Sequence, residues 1–519
     1  LERRFRFGWG SFIIGGMTTH AAAPARVSID LDRVVGEISP LLFGGFAEHM
    51  GRCVYGGVYD PRSPRADARG FRKDVVAALR DEMGITTLRY PGGNFVSGYD
   101  WKDGIGPKDA RPRRRDLAWR QTEPNTFGVD EFIDLCRELG CRPMLGLNFG
   151  TGDLRGVMDL VEYCNVPRGT KWAQARVENG YARPHDVRLW CLGNEMDGPW
   201  QIGAMDAVSY AVKAREAAKV IKWDSAENQT IVCGSSGTGM ETYPEWDRTV
   251  LDVCWEQSDY LAMHHYATNW ENDTPSYLAY GVELESHVDT LAALLRYTKA
   301  KRRSKHDVYL SWDEWNVWYK DRSFDGGWAI GPRLSEETYD LQDALVVAQW
   351  MNVFLRRCDV LKIACIAQVV NTIAPIKTSA DGLLKETTYW PFVLFRKYAR
   401  GVALDPLVRG PVYSTKKFGE AAVVDASASF DAESGRVAVF LVNRSQSDVV
   451  PVEVVVRGMG VSVFDENHQM AGRDPRAVNS WEKPENVVPH RVGAVNVKEG
   501  VGRLVLPPLS FTVLSGKSA

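Results

Sequence analysis

No apolar run in the 519-residue sequence approaches the length of a bilayer-crossing helix, so no membrane span is expected. The cysteines lack the spacings of a zinc ribbon or a C-x-x-C pair, and nine is an odd count. Cys191, Cys233 and Cys365 sit inside apolar runs as small hydrophobes, which favours a reducing compartment. Charge of one sign is also missing. With 63 Lys and Arg against 66 Asp and Glu the net charge is −3, so neither nucleic acid nor an anionic membrane is an expected partner. No fixed-period repeat and no low-complexity segment occurs. At the N-terminus Arg3, Arg4 and Arg6 precede an apolar stretch that loosely resembles a signal peptide. That stretch is short and carries four Gly, so a cytoplasmic protein is expected. Residues 1–25 are read as an extension, with Met17 able to serve as a start.

The chain is too long for one ordinary core, so a large and a smaller domain are expected. Seventeen Trp is a high count. Indoles stack on sugar rings, but most are assigned to packing.

The most informative stretch is Val187-Arg-Leu-Trp-Cys-Leu-Gly-Asn-Glu195, in which six of nine residues are apolar or Gly. Such a run suits a parallel strand covered on both faces. It ends in a carboxylate, at the end of the strand where α/β barrels build active sites. Val308-Tyr-Leu-Ser-Trp-Asp-Glu314 repeats the pattern. Further strand-like runs at 41–48, 86–90, 142–148, 230–235, 259–264 and 361–369 alternate with helical text, giving eight units. Eight such units argue for a closed (β/α)8 barrel over residues 37–389. From 390 to 519 short β-rich runs separated by Gly, Ser, Asp and Pro read as an antiparallel, jelly-roll-like sandwich. The segment 26–36, whose residues 26–34 alternate apolar and polar as one strand, is expected to join it.

Two carboxylates on opposite sides of a sugar can break a glycosidic bond with no metal or cofactor, so neither is expected. Glu195 and Glu314 lie 119 residues apart, three units of about 40, which places them nearly opposite in the barrel. The Asn194 amide can bond the sugar's 2-hydroxyl. Adjacent residues on a strand face opposite ways, so His264 is read as facing the pocket and His265 as structural. By the same rule Asp313 is expected to point away from Glu314. Trp312 and Trp315 are read as packing, and the basic run 108–115 as solvated.

Five blocks extend this reading: Glu48-His-Met-Gly-Arg-Cys-Val-Tyr-Gly-Gly57, Leu88-Arg-Tyr-Pro-Gly-Gly-Asn94, Gly193-Asn-Glu195, Trp312-Asp-Glu-Trp-Asn-Val-Trp-Tyr319 and Ala367-Gln-Val-Val-Asn-Thr-Ile-Ala-Pro375. In this order they resemble the glycoside hydrolase family 51 α-L-arabinofuranosidases, from about residue 26 to the end. The resemblance implies a retaining, exo-acting enzyme that releases terminal arabinofuranose from arabinan- or arabinoxylan-type oligosaccharides. It implies Glu195 as acid/base and Glu314 as nucleophile. It also implies a sugar pocket of Glu48, Arg89, Asn94, Asn194, His264, Tyr266 and Gln368, with Trp119 and Trp318 lining the entrance or the +1 side. Arg89 would keep Glu314 ionised and Tyr266 would hold it. A homo-oligomer, a hexamer by resemblance, is implied too. One departure is Glu386, where the family often has Gln; it lies past the catalytic blocks. Three alternatives stay open: an endo-glucanase or xylan-active enzyme of the same fold, a metal-dependent sugar isomerase, and a non-catalytic carbohydrate-binding protein.

Overall fold

The computed structural model describes residues 24–380, 382–458 and 460–518. The N-terminal stretch 1–23 lies outside the described residues. Eight parallel strands close a barrel in chain order: Gly44–Phe46, Thr87–Tyr90, Arg142–Gly146, Leu189–Leu192, Gln229–Val232, Tyr260–Ala267, Tyr309–Val317 and Leu361–Ala367. Cys365 of the last strand pairs with Gly44 of the first, which completes the ring. These are the eight runs read from the sequence. Parallel strands buried on both faces are rich in apolar side chains, which is why they were visible. Among the described residues no helix is long and apolar enough to cross a membrane.

Twelve further strands of the described residues form a two-layered sandwich, and three short two-stranded hairpins stand apart from it. The segment read as one N-terminal strand is two. Ala25–Asp30 pairs in parallel with Val450–Arg457 in one layer. After a turn, Val34–Glu37 pairs with Val402–Leu404 at the edge of the other. Strand Arg436–Asn443 reads Arg-Val-Ala-Val-Phe-Leu-Val-Asn, apolar at six consecutive positions, because both of its faces are covered. Val437, Val439 and Leu441 meet Val27, Ile29, Val452 and Val454 inside the sandwich. Ala438, Phe440 and Val442 turn the other way, into the barrel's core. There Phe440 stacks on Phe395 of helix Tyr389–Tyr398 with ring centroids 4.1 Å apart. The barrel and the sandwich thus share one packed seam.

The seventh strand carries the feature that shapes the site. Ala262 pairs with Ser311, but His264 pairs with Glu314, so the seventh strand holds one extra residue between these pairs. A bulge of this kind breaks the alternation of side chains. Trp312 and Trp315 pack outward against Trp350 and Phe354. Asp313 and Glu314 both turn into the barrel. The expectation that Asp313 points away from Glu314 is therefore corrected, and the extra residue is the reason.

Candidate active site

Glu314 projects from the seventh strand at the C-terminal rim. Its Oε1 accepts from Arg89 Nη1 at 2.6 Å, and its Oε2 from the Tyr266 hydroxyl at 2.9 Å. Burial, reinforced by Glu314, holds the Tyr266 hydroxyl well above the usual range, so it stays a donor. Gly93 leaves room for the carboxylate: a Cβ there would come within 2.9 Å of Glu314 Oε1.

Glu195 lies three residues beyond the fourth strand, with φ at +44°. The turn that delivers it begins at Gly193, φ +92°, where a Cβ would press on Phe149 at 3.0 Å. Left-handed backbone at a glutamate is uncommon and recurs at functional sites. His264 Nδ1 lies 3.0 Å from Glu195 Oε1, and Trp200 Nε1 donates to Oε2 at 2.6 Å. Side-chain oxygens of Glu195 and Glu314 and the His264 nitrogen all fall within 4.8 Å of one another. The fourth and seventh strands thus bring their carboxylates to one point.

A layer of charge lies beneath them. Arg89, 1 % exposed, also donates from Nη2 to Asn194 Oδ1 at 2.6 Å, and its Nε lies 3.2 Å from Asp313 Oδ2. Asp313 Oδ1 is 3.5 Å from His264 Nε2. Burial would lower the His264 pKa, but Glu314, Asp313 and Glu195 raise it to about 10, so the ring is cationic at neutral pH. Burial would raise Asp313, but Arg89 and His264 hold it below the usual carboxylate range. Burial, seconded by Glu314, lifts Glu195 above its ordinary value against the bonds from His264 and Trp200. A carboxyl that must deliver a proton near neutral pH needs that direction of shift.

The cavity above this layer holds about 490 Å³ and is lined by Glu48, Asn94, Trp119, Glu195, Tyr266, Glu314, Trp318 and Gln368 among others. Glu48 accepts from Phe95 N and Trp119 Nε1, each at 3.0 Å. Burial, with Glu314 nearby, pushes its pKa up to about 8, so it is mostly protonated at neutral pH. Gln368 Oε1 accepts from Glu48 N at 3.1 Å. Arg89, Asn194 and His264 line a smaller void below; Arg89 bonds Glu314 and His264 lies against Glu195, while Asn194 accepts from Arg89 and donates to Gln201. His265 faces the other side, its Nε2 3.0 Å from the Tyr280 hydroxyl. Glu386 lies away from this cavity, with Oε1 3.0 Å from Lys377 Nζ.

Trp200, Met50, Arg322 and Phe324 also line the cavity and were not singled out in the sequence. Trp200 follows Glu195 by five residues, a signal that was present. Arg322 and Phe324 lie on a loop with no periodicity to mark them. Trp190, Trp246, Trp255, Trp312, Trp315 and Trp350 are fully buried, so indole packing accounts for much of the Trp count.

Two substitutions test this geometry. Trp200→Phe keeps the ring but removes the N–H that favours ionised Glu195. The acid should then keep its proton to higher pH, and the alkaline limb of kcat/KM should move upward. Asp313→Asn keeps the shape and strips one counter-charge from Arg89 and His264. Breaking a buried pair costs roughly 3–5 kcal/mol, so the urea unfolding midpoint should fall clearly.

A closed parallel barrel with two carboxylates meeting at its C-terminal rim, in the lining of one cavity, defines a glycoside hydrolase of the two-carboxylate class. The family models agree: that of the α-L-arabinofuranosidase 1 domain matches residues 79–281, and that of the α-L-arabinofuranosidase C-terminal domain residues 313–510. The chain belongs to the α-L-arabinofuranosidases of glycoside hydrolase family 51. It is 40 % identical to the intracellular exo-α-(1→5)-L-arabinofuranosidase 1 of Bacillus subtilis, over 94 % of this chain and 98 % of that one. It is 39 % identical to an exo-α-(1→6)-L-arabinofuranosidase of Bifidobacterium longum, over 95 % and 97 %. Among solved structures, a family 51 α-L-arabinofuranosidase from Bifidobacterium longum superposes with a TM-score of 0.91 at 36 % identity, covering 95 % of this chain and 99 % of that one. The arabinose complex of the Thermotoga maritima enzyme gives 0.86 at 33 %, covering 95 % and 100 %. A bifunctional glucanase-xylanase, at 12 % identity and TM-score 0.63 over 96 % and 99 %, shares the fold alone.

Proposed function

We propose that the protein is a retaining, exo-acting α-L-arabinofuranosidase that removes terminal arabinofuranosyl units from arabinan- or arabinoxylan-type oligosaccharides. The approach of Glu195 and Glu314, with oxygens within 4.8 Å, is the observation that carries this reading. Retaining enzymes hold their carboxyls about 5–5.5 Å apart, whereas inverting ones leave about 6.5–9.5 Å for a water. Glu314 attacks the anomeric carbon as Glu195 passes its proton to the departing glycosidic oxygen. Water, deprotonated by Glu195, then attacks the same carbon and frees Glu314. Arg89 and Tyr266 keep Glu314 aimed by donating to its two oxygens. Buried Glu48, Met50 and Gln368 form the inner wall of the pocket, which suits the end of a chain and supports exo action.

Several relatives are named as intracellular enzymes, which supports a cytoplasmic place for this one. Self-association, as a hexamer, rests on the family resemblance alone. Release of 4-nitrophenol from its α-L-arabinofuranoside, set against carboxymethyl-cellulose, tests the activity. Turnover of the polymer alone would overturn the reading in favour of an endo-glucanase.

A further inference from the structure

Loop residue Arg322 stands at the rim of the cavity and is not used by the chemistry above. Its guanidinium carbon lies 3.9 Å from the centre of the Trp318 ring and 5.3 Å from that of Phe324. Its Nη1 donates to the Trp318 carbonyl at 3.3 Å. Among the described residues no carboxylate lies within 4 Å of it. The loop's own acids are engaged elsewhere: Asp325 pairs with Arg120 at 3.1 Å, and Asp321 accepts from Ser323 N and Glu336 N. The guanidinium is therefore oriented by a stacked indole while most of its donors stay free. A planar fork presented in this way matches a carboxylate.

Its position says which part of a substrate it would meet. Trp318 packs edge-on against Tyr266 with centroids 5.2 Å apart, and Tyr266 bonds Glu314. Arg322 thus lines the same cavity as Glu195 and Glu314 but is set off from the nucleophile by these two rings, a placement that suits a unit other than the cleaved sugar. The hairpin that supplies Trp119 carries a similar group. Arg115 lies 4.5 Å over the Trp328 ring, and among the described residues it too has no carboxylate within 4 Å. The strong negative charges of the pocket do not bar an anion. Glu314 is paired with Arg89, and Glu48 is mostly protonated at neutral pH.

We infer that Arg322 is a specificity residue for an anionic leaving group, a uronic acid unit beside the sugar that bears the arabinofuranose. This rests on the arabinofuranosidase reading and narrows its substrate to acidic, uronate-bearing oligosaccharides. The test uses two arabinofuranosyl-oligosaccharides that are identical except that the uronic acid next to the branch is free or methyl-esterified. The readout is the ratio of their kcat/KM values, which a general loss of activity leaves alone. Wild type should favour the free acid by about tenfold, the scale of one charge-assisted hydrogen-bonded pair. The ratio should shrink in high salt. Arg322→Gln should bring it close to one, and Arg322→Lys should keep part of it. A wild-type ratio of one, with both substrates still cleaved, would overturn this inference and leave the activity standing. A preference that survives in Arg322→Gln would also overturn it. Release of arabinose from neither substrate, nor from the nitrophenyl arabinofuranoside, would remove the underlying reading and this inference with it.

Discussion

Glu314→Ala should lose activity on the order of 10⁴-fold or more in kcat, because no covalent ester can form and nothing else in the pocket can replace it. Arg89 and Tyr266 both donate to this carboxylate, and neither can attack carbon. The fold should tolerate the change less well than a surface substitution, since Arg89 loses a buried partner at 2.6 Å. Asp313 and Asn194 still hold the guanidinium, so the barrel is expected to assemble. The check is single-turnover kinetics beside circular dichroism: native spectra with no release of aryl alcohol. Near-normal turnover would remove Glu314 from the mechanism.

Glu195→Ala should be slower by about 10²–10⁴-fold, the range of a lost general acid/base, and the loss should depend on the leaving group. With natural oligosaccharides the departing oxygen needs a proton, and both steps suffer. With a dinitrophenyl leaving group the first step needs none, so the glycosyl-enzyme should build up and release in a burst. Azide needs no base to attack that ester. It should restore turnover in this variant only, giving the azide with the starting configuration. A Glu195 variant that azide does not touch, and that loses equally on all leaving groups, would assign Glu195 a structural part. Its side chain is held by His264 and Trp200, so the structural part has its own signature in the pH profile of Trp200→Phe.

Much of the barrel was legible because burial on both faces leaves short runs dominated by apolar residues. Leu189–Leu192 and Leu361–Ala367 are buried almost throughout, and their text reads so. Glu195 and Glu314 stood out as charges closing such runs. What stayed hidden depends on geometry that periodicity does not record. The extra residue at Asp313 leaves no mark in composition, yet it turns a side chain assigned to the outside into the counter-ion of Arg89 and His264. The split of 26–36 into two strands follows from the turn at 31–33, where the alternation carried by Val27, Ile29 and Leu31 breaks at Arg33. Trp200 and Arg322 sit on loops, where no face repeats and only the folded chain decides what a side chain meets. Six consecutive apolar residues in Arg436–Asn443 announced a strand but not the second face, which the helix Tyr389–Tyr398 covers.

The most direct measurement is the proton NMR spectrum of the first-formed sugar, recorded within seconds of mixing enzyme with an aryl α-L-arabinofuranoside. Two carboxylates this close leave no room for a water opposite the leaving group, so α-L-arabinofuranose should appear first and equilibrate to the other anomer later. Initial appearance of the β anomer would mean direct attack by water, and the pairing of Glu195 with Glu314 described above would be wrong.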